Sequence, residues 1–271
     1  VLHMLRAQLG DALFYHCVRA YLERYRNKAV ETNDLLRTFE EVSGVGLEQF
    51  FEQWVYSGGQ PSLKVVYAWQ PENSLLSLTV GQTQVVDEVT PLFHLPVDVA
   101  IHIGDAVQVE RLIIAEKKQE FFVKVSERPS FIRFDPRGDL LKKLDFRQPK
   151  AMLMAQLKGD TTLAGQYEAI DALAEHAEED VVAALTERLE QAEYWGVRAR
   201  AVKTLAKMDL AVAEDALLQA AQQSEARVRL VVAEELGALD SEETRGALKA
   251  LINDKSPYVA AAAIRSLATI A

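Results

Sequence analysis

An internal repeat near the carboxyl end constrains the fold of this chain more than any other feature. The segments 197–205, 228–236 and 259–267 align without gaps, and each follows the previous one by 31 residues. A looser copy lies 32 residues earlier, and a second apolar segment recurs between the copies. A period of this length with two apolar segments per unit predicts stacked pairs of helices, which can bury their apolar faces only against neighbouring pairs.

The repeat therefore predicts an α-solenoid of HEAT type over residues 150–271. Leu205, Leu236 and Leu267 hold the same position in successive copies, so we expect each of them to be buried between stacked helices. The last copy is rich in alanine and lacks a second helical segment after it.

Four arginines recur at the repeat step and are expected to form a row along one edge of the solenoid. Two interpretations remain open for this row. The arginines can pair with the abundant acidic side chains of neighbouring units, or they can form a ridge that binds an acidic or carboxylate-bearing partner. The members of the row are Arg198, Arg200, Arg227 and Arg229.

Proline marks a different kind of structure in the middle of the chain. Seven of the eight prolines lie between Pro61 and Pro149. Proline is excluded from helix interiors but is tolerated at strand edges and turns. Apolar and polar residues also alternate here in six or seven short runs separated by turn residues. Residues 61–149 are therefore predicted to form a small antiparallel β-sandwich.

Residues 1–60 contain no proline and show apolar residues at helical spacing, which indicates three helices. Their apolar faces are wide and aromatic. Sixty residues bury too little surface to be stable alone, so these helices should pack against further helices. The chain begins at Val1 inside such a pattern, and we expect it to be part of a longer protein.

Charge and cysteine content exclude several classes of protein. Thirty basic and forty acidic residues give a net charge of −10, which argues against nucleic-acid binding and against a polybasic membrane surface. Cys17 is the one cysteine, so the chain has no internal disulfide framework, and it is predicted to be a buried apolar residue. No apolar run is long enough for a transmembrane helix, and no signal peptide leads the chain. A cytoplasmic location is expected.

The sequence contains no recognisable catalytic or metal-binding motif. H-E-x-x-H, G-x-S-x-G, the P-loop and G-x-G-x-x-G are all absent. His3 and His16 are predicted to be partly buried on different helices, His94 and His102 lie on one predicted strand, and His176 lies in an acidic loop. None of these pairs has zinc-ligand spacing. We therefore assign no catalytic residue, no cofactor-binding residue and no metal ligand in this chain.

Several segments resemble the end of the catalytic domain of zinc aminopeptidases of the aminopeptidase N type, a gluzincin family. The resemblance covers residues 1–61 most specifically, and Phe134-Asp135-Pro136 is similar to the last sandwich strand of that family. The matching segments are Val1-Leu-His-Met-Leu-Arg6, Gly10-Asp-Ala-Leu-Phe14, Tyr21-Leu-Glu-Arg-Tyr25, Thr32-Asn-Asp-Leu35, Gln53-Trp54-Val55 and Gly59-Gln60-Pro61.

This resemblance implies a multidomain α + β architecture with three parts. Residues 1–60 would be the helical end of the peptidase catalytic domain, residues 61–149 the β-sandwich, and residues 150–271 the HEAT-like solenoid. The family's H-E-x-x-H motif, its downstream zinc-binding Glu and its catalytic Tyr have no counterpart in this chain. The resemblance thus implies a structural fragment that shapes and gates the active-site cleft of a zinc enzyme and is not catalytic by itself.

The parent enzyme would bind zinc, remove N-terminal residues from peptides and hold this region against its own upstream catalytic domain. Peptide substrates are the other expected partners, without nucleic acid or membrane. A second interpretation belongs to another class of protein. The parent would then have the same architecture without zinc chemistry and would serve as an interaction scaffold, like a subunit of the general transcription machinery that resembles these peptidases. An upstream H-E-x-x-H would distinguish the two.

Overall fold

The computed structural model describes residues 1–208 and 211–270. The chain divides into two compact units, Val1–Arg147 and Gln148–Ala271. The first unit contains helices followed by two small sheets, and the second contains a helical repeat. The predicted fold class is confirmed, whereas the division into three domains at residues 60 and 149 stays a prediction.

Four helical segments precede the first strand, rather than the three predicted. Gly10 causes the additional break, because its φ of 79° and ψ of 159° lie outside the helical region. A capping box between Glu31 and Asp34 starts the third helix, and Gly44 in the left-handed conformation ends it. The segments are α1 (Leu2–Leu9), α2 (Asp11–Arg24), α3 (Thr32–Ser43) and α4 (Glu48–Phe51), which continues as a π-helical turn (Glu52–Tyr56).

The apolar faces of these four helices meet in one core, built mainly from Leu5, Phe14, Phe39 and Phe51. Cys17 lies inside it with no exposed surface, so the prediction of a buried apolar cysteine is confirmed. Burial raises the pKa of its thiol. A buried thiol with a raised pKa fills space in the core and does not act as a nucleophile.

Seven strands follow in two sheets, with spatial orders β5-β2-β1-β7 and β4-β3-β6. Alternating residues of β1 are buried, as the period-two pattern of a half-exposed strand requires. The strands are β1 (Ser62–Gln70), β2 (Leu75–Gln82), β3 (Leu95–Ile103), β4 (Ala106–Ile114), β5 (Lys118–Lys124), β6 (Phe131–Phe134) and β7 (Lys143–Phe146).

One strand pair departs from the predicted antiparallel arrangement. β7 pairs with β1 in parallel, with Ser62 opposite Lys143. β6 belongs to one sheet and β7 to the other, so the connection between them changes sheets and brings β7 to the start of β1 in the same direction. The Lys143 backbone N–H donates to the Pro61 carbonyl at 2.9 Å at this entry point.

The second unit is a row of helices with the predicted period. Its first helices of successive repeat units begin at residues 163, 195, 226 and 257. The helices are α5 (Lys150–Gly159), α6 (Leu163–Leu173), α7 (Glu179–Gln191), α8 (Trp195–Leu205), α9 (Ala211–Ala220), α10 (Ala226–Leu236), α11 (Glu242–Leu251) and α12 (Pro257–Thr269).

The repeat positions are buried where a unit has neighbours on both sides. Leu205 and Leu236 have no exposed surface, as predicted, whereas Leu267 is only half-buried. Ile264 occupies the position held by Val202 and Ala233 in the preceding units; those two are fully buried, and Ile264 is 54% exposed. Among the described helices α12 packs mainly on α10 and α11, which lie on one side of it in the array, and this explains the difference.

Across the described part of the chain, no helix combines the length and the apolar character that crossing a bilayer requires.

Candidate functional site

A cleft of about 180 Å³ lies within the first unit. Its walls are α1, the α4 segment with its π-helical turn, the start of β3, and the loop between β6 and β7. One side of the cleft is apolar and the other is charged.

The apolar side is fixed by a junction between the π-helical turn and the start of β3. The Gln53 amide Nε2 donates to the His94 carbonyl at 3.2 Å, and the His94 backbone N–H donates to the Gln53 Oε1 at 2.6 Å. The Trp54 ring packs on the Phe93 ring, with centroids 5.1 Å apart. The two hydrogen bonds join residues 41 positions apart, and together with the ring contact they hold the indole at the cleft wall.

The charged side is a chain of ion pairs centred on Asp98. Arg111 on β4 donates to both Asp98 carboxylate oxygens, and Arg137 reaches the same carboxylate at 3.4 Å. Arg137 Nε also donates to Asp139 at 2.7 Å. The hydrogen bond to Asp98 raises the pKa of the Arg111 guanidinium above its usual value. Both arginine side chains are more than half exposed, so the pairs are weak contributors to stability.

Asp135 organises the loop that closes the charged side. Its φ of 56° is left-handed, a conformation that aspartate tolerates better than most residues. One carboxylate oxygen accepts from the Asp139 backbone N–H at 2.9 Å, and the other accepts from the Leu140 N–H at 3.0 Å and from the Lys142 ammonium. The carboxylate is 4% exposed and Lys142 is 11% exposed, which makes this pair part of the interior.

The cleft has the chemistry of a structural junction or a weak binding groove rather than of a catalytic centre. Each of its three aspartates is paired with a cation, Asp98 with Arg111, Asp139 with Arg137 and Asp135 with Lys142. Over residues 1–208 and 211–270, no three His, Cys, Asp or Glu side chains lie close enough together to hold a metal ion. A catalytic zinc ion needs three protein ligands, and the described residues offer no such set.

Sequence reasoning did not single out this cleft. Asp98 and Arg111 lie on adjacent strands, and only the register of β3 against β4 places them opposite each other. Asp98 and Arg111 each alternate with buried apolar residues along their strands, and this pattern is the sequence signal that places each of them on the outer face of the sheet. The Phe134-Asp135-Pro136 segment was noticed for its family resemblance rather than for its role in the loop.

The histidines are dispersed, and two predictions about them are wrong. His3 and His16 are exposed rather than partly buried, because the buried faces of α1 and α2 run through Met4 with Leu5 and through Phe14 with Cys17. His94 precedes β3 instead of lying on it.

His102 does lie on β3, where its ring stacks on Phe131 with centroids 3.9 Å apart. His176 lies between α6 and α7, outside both helices.

The arginine row of the solenoid divides into two kinds. Arg200 pairs with Asp171 of the preceding unit through both carboxylate oxygens. Arg229 pairs with Asp254, its Nε at 2.7 Å and its Nη2 at 2.9 Å from the two oxygens. For Arg200, pairing with an acidic residue of a neighbouring unit is confirmed, whereas Asp254 lies in the same repeat unit as Arg229, after α11 and before α12.

Arg198 and Arg227 do not follow that pattern. Arg227 pairs with Glu225, two residues before it in the chain, and not with a neighbouring unit. Within the described ranges, no carboxylate forms an ion pair with Arg198.

The pair of Arg229 and Asp254 should make the stability of the solenoid pH-dependent. The hydrogen bond from Arg229 holds the pKa of Asp254 below its ordinary value. The unfolded chain therefore takes up a proton first as the pH falls, and the contribution of the pair is complete above about pH 4 and lost below it. We expect Asp254→Asn to be less stable than the unmodified chain at neutral pH.

That difference should shrink steadily below about pH 4, where the aspartate of the unfolded chain also becomes protonated. Urea denaturation of both proteins at a series of pH values measures it. A constant difference down to pH 2 would contradict the assignment. Asp240→Asn is the matched control, because Asp240 pairs with Arg245 at an exposed position and should change stability little at any pH.

Comparison with known families matches both ends of the chain. The Peptidase family M1 domain matches residues 1–54. HEAT repeats match residues 151–228 and 214–271.

Individual curated proteins are also similar to parts of this chain. Puromycin-sensitive aminopeptidase of Caenorhabditis elegans is 28% identical over 126 residues, which are 45% of this chain and 13% of that protein. Transcription initiation factor TFIID subunit 2 of Drosophila melanogaster is 22% identical over 208 residues, which are 66% of this chain and 17% of that protein. The chain therefore spans less than a fifth of these curated relatives.

A solved structure matches almost the whole chain. The crystal structure of Legionella pneumophila aminopeptidase A in complex with aspartic acid superposes with a TM-score of 0.76, covering 98% of this chain and 38% of that one. Sequence identity over the match is 16%, so this likeness concerns the fold alone.

Proposed function

We propose that this chain is an M1-type aminopeptidase region and that it is the structural C-terminal part of a zinc-dependent enzyme that removes N-terminal residues from peptides. In this proposal α1–α4 complete the catalytic domain, the two sheets act as a spacer, and the solenoid limits which peptides reach the active-site cleft. The match of residues 1–54 to the peptidase domain carries the proposal, because it links the helical end of that domain to everything that follows.

The exposed surface of α1 and α2 supports this role. Leu2 is 56% exposed, Tyr15 45% and Leu22 60%. Large apolar side chains grouped on two adjacent helices are typical of a surface that contacts another domain. In the proposal the upstream part of the catalytic domain covers them.

Zinc and the general base of the parent enzyme would come from that upstream part. The described residues offer no set of ligands, and the resemblance carries no ligand or catalytic residue onto this chain. Peptide substrates and the upstream domain are the proposed partners, and a cytoplasmic location remains a proposal based on composition.

The 271-residue chain alone should therefore be inactive. We expect no hydrolysis of aminoacyl chromogenic substrates, with or without added zinc, and no stoichiometric zinc after dialysis, because no three ligands converge. Metal analysis and a parallel assay of an active zinc aminopeptidase give the reference values. One zinc ion bound tightly per chain, or measurable turnover, would overturn the assignment.

The proposed gating role can be tested in the longer parent protein. Removal of residues 148–271 from the parent should raise the kcat/KM for long peptides relative to that for a small aminoacyl arylamide, since a barrier to large substrates would be lost. An unchanged ratio in a variant that still binds zinc and cleaves the small substrate would argue against gating.

An interaction scaffold without zinc chemistry is the alternative, and the similarity to TFIID subunit 2 is the observation behind it. Puromycin-sensitive aminopeptidase matches at higher identity, so we favour the enzyme. Zinc analysis of the full-length parent separates the two, because a scaffold would bind no stoichiometric zinc.

A further inference from the structure

The pairing of the arginine row leaves one cationic site on the solenoid incompletely neutralised. Arg200 and Arg229 each have a carboxylate of their own, Asp171 and Asp254. Arg198 and Arg227, by contrast, both act on the single carboxylate of Glu225. Arg227 pairs with it in two-pronged geometry, with Nε–Oε1 at 2.9 Å and Nη2–Oε2 at 3.1 Å.

Arg198 is held in place without being neutralised. Its Nη1 donates to the Gln223 Oε1 at 3.2 Å, and the Gln223 Nε2 in turn donates to the Leu189 carbonyl at 3.4 Å. Its Nε is buried and has no hydrogen-bond acceptor among the described residues. A guanidinium positioned by a neutral amide keeps its full charge and donors for an anion.

The lowered pKa of Glu225 agrees with the presence of two arginines near its single carboxylate. The pKa of Glu225 falls to about 2, mainly through Arg227 and to a smaller extent through Arg198. Glu225 therefore stays ionised at neutral pH, and it neutralises only one of the two arginines. The site keeps one positive charge, although residues 151–271 as a whole carry 20 acidic and 12 basic side chains.

An aromatic wall borders Arg227, and its Trp195 ring lies three residues before Arg198 on the same helix. The Arg227 guanidinium lies over the Trp195 ring, 4.4 Å from its centroid. The Tyr194 ring, 42% exposed, lies 5.6 Å from Trp195. Gly196 allows this packing, because a Cβ at that position would come within 2.5 Å of the Tyr194 ring. A cation beside a partly exposed aromatic surface suits a ligand with a charged group next to an apolar one.

We propose that Arg198, Arg227, Trp195 and Tyr194 form a docking site for an acidic peptide segment, in which a Glu or Asp carboxylate binds the arginines and a neighbouring apolar side chain rests on the aromatic wall. Glu225 already shows that a carboxylate fits Arg227 in this geometry. An incoming carboxylate adds the charge partner that Arg198 lacks among the described residues. The site is independent of zinc chemistry and goes beyond the gating role proposed above.

Titration of the 271-residue chain with a blocked pentapeptide, N-acetyl-Ala-Glu-Phe-Glu-Ala-amide, tests this site. We expect saturable binding by calorimetry, with a change in tryptophan fluorescence that a Trp195→Phe variant lacks, and weaker affinity at high salt. Arg198→Gln should weaken binding by about tenfold or more, because charge-assisted hydrogen bonds to a carboxylate are lost. Arg227→Gln should weaken it as well.

Glu225→Gln provides the sharpest outcome, since it removes the competing carboxylate and should strengthen peptide binding. Arg200→Gln, which removes the same charge two residues from Arg198, should leave binding unchanged because Asp171 already neutralises Arg200. Thermal unfolding checks that each variant is folded.

Three results would overturn the proposal. They are equal binding of the corresponding Gln peptide, weaker binding after Glu225→Gln, and an equal loss in the Arg200→Gln and Arg198→Gln variants. Inorganic phosphate that competes as well as the peptide would show a general anion site instead.

Discussion

Leu236→Ala is expected to destabilise the solenoid by about 2–5 kcal/mol, the usual cost of a cavity at a fully buried leucine. Leu236 has no exposed surface and lies in α10, between α8 and α12. In a repeat array the stability of a unit depends mainly on its two interfaces, so a cavity here weakens both of them.

Leu267→Ala is the matched control, because it makes the same change at the equivalent repeat position of α12. Leu267 is half-buried, so the loss should be clearly smaller. Amide hydrogen exchange in α8–α11 reports the free energy of opening for each variant. A larger loss in Leu267→Ala than in Leu236→Ala would show that the repeat alignment is wrong.

Asp135→Ala should be the most damaging polar substitution in the first unit, at about 3–5 kcal/mol. It would leave the Lys142 ammonium buried without its partner and remove the acceptor of two backbone N–H groups. Alanine is also strained at the left-handed φ of this position. Chemical denaturation of the chain measures the loss.

Two further variants separate charge from conformation. Asp135→Asn keeps an acceptor oxygen and tolerates the left-handed backbone, so it should cost less than alanine. Adding Lys142→Met to Asp135→Asn removes the unpaired ammonium and should restore part of the stability lost by the single variant. The free energy of unfolding lost by the double variant is compared with the sum of the losses in Asp135→Asn alone and Lys142→Met alone. If the two are equal, the ion pair is not what stabilises this loop.

The order of elements could be predicted from the sequence because each signal is local. Proline placement separates strands from helices, and a 31-residue repeat needs only its own neighbours to define stacked helices. Gly10 separates α1 from α2, but the sequence does not show that its backbone conformation divides the first apolar stretch into two helices. The parallel pairing of β7 with β1 depends on a change of sheet, which no local pattern encodes.

The candidate sites were harder to predict because their residues meet only after folding. Asp98 and Arg137 are 39 residues apart, and the junction of Gln53 with His94 joins the π-helical turn to the residue before β3. The arginine row was found from its spacing. Each arginine is neutralised only where a single acidic residue lies near it, as Asp171 does for Arg200 at a distance of 29 positions in the chain. Helix packing decides which residues come that close.

The exposed Ile264 at the last repeat gives the solenoid a direction. A one-dimensional array opens like a zipper from the end that has the fewest contacts, so free energies of local opening should rise from α12 inward to α10 and α8. A protease that samples such opening would first cut near residues 252–256, between α11 and α12, and would leave the inner units intact. Refolding of the array would follow the opposite order, so α12 would be the last of these helices to reform.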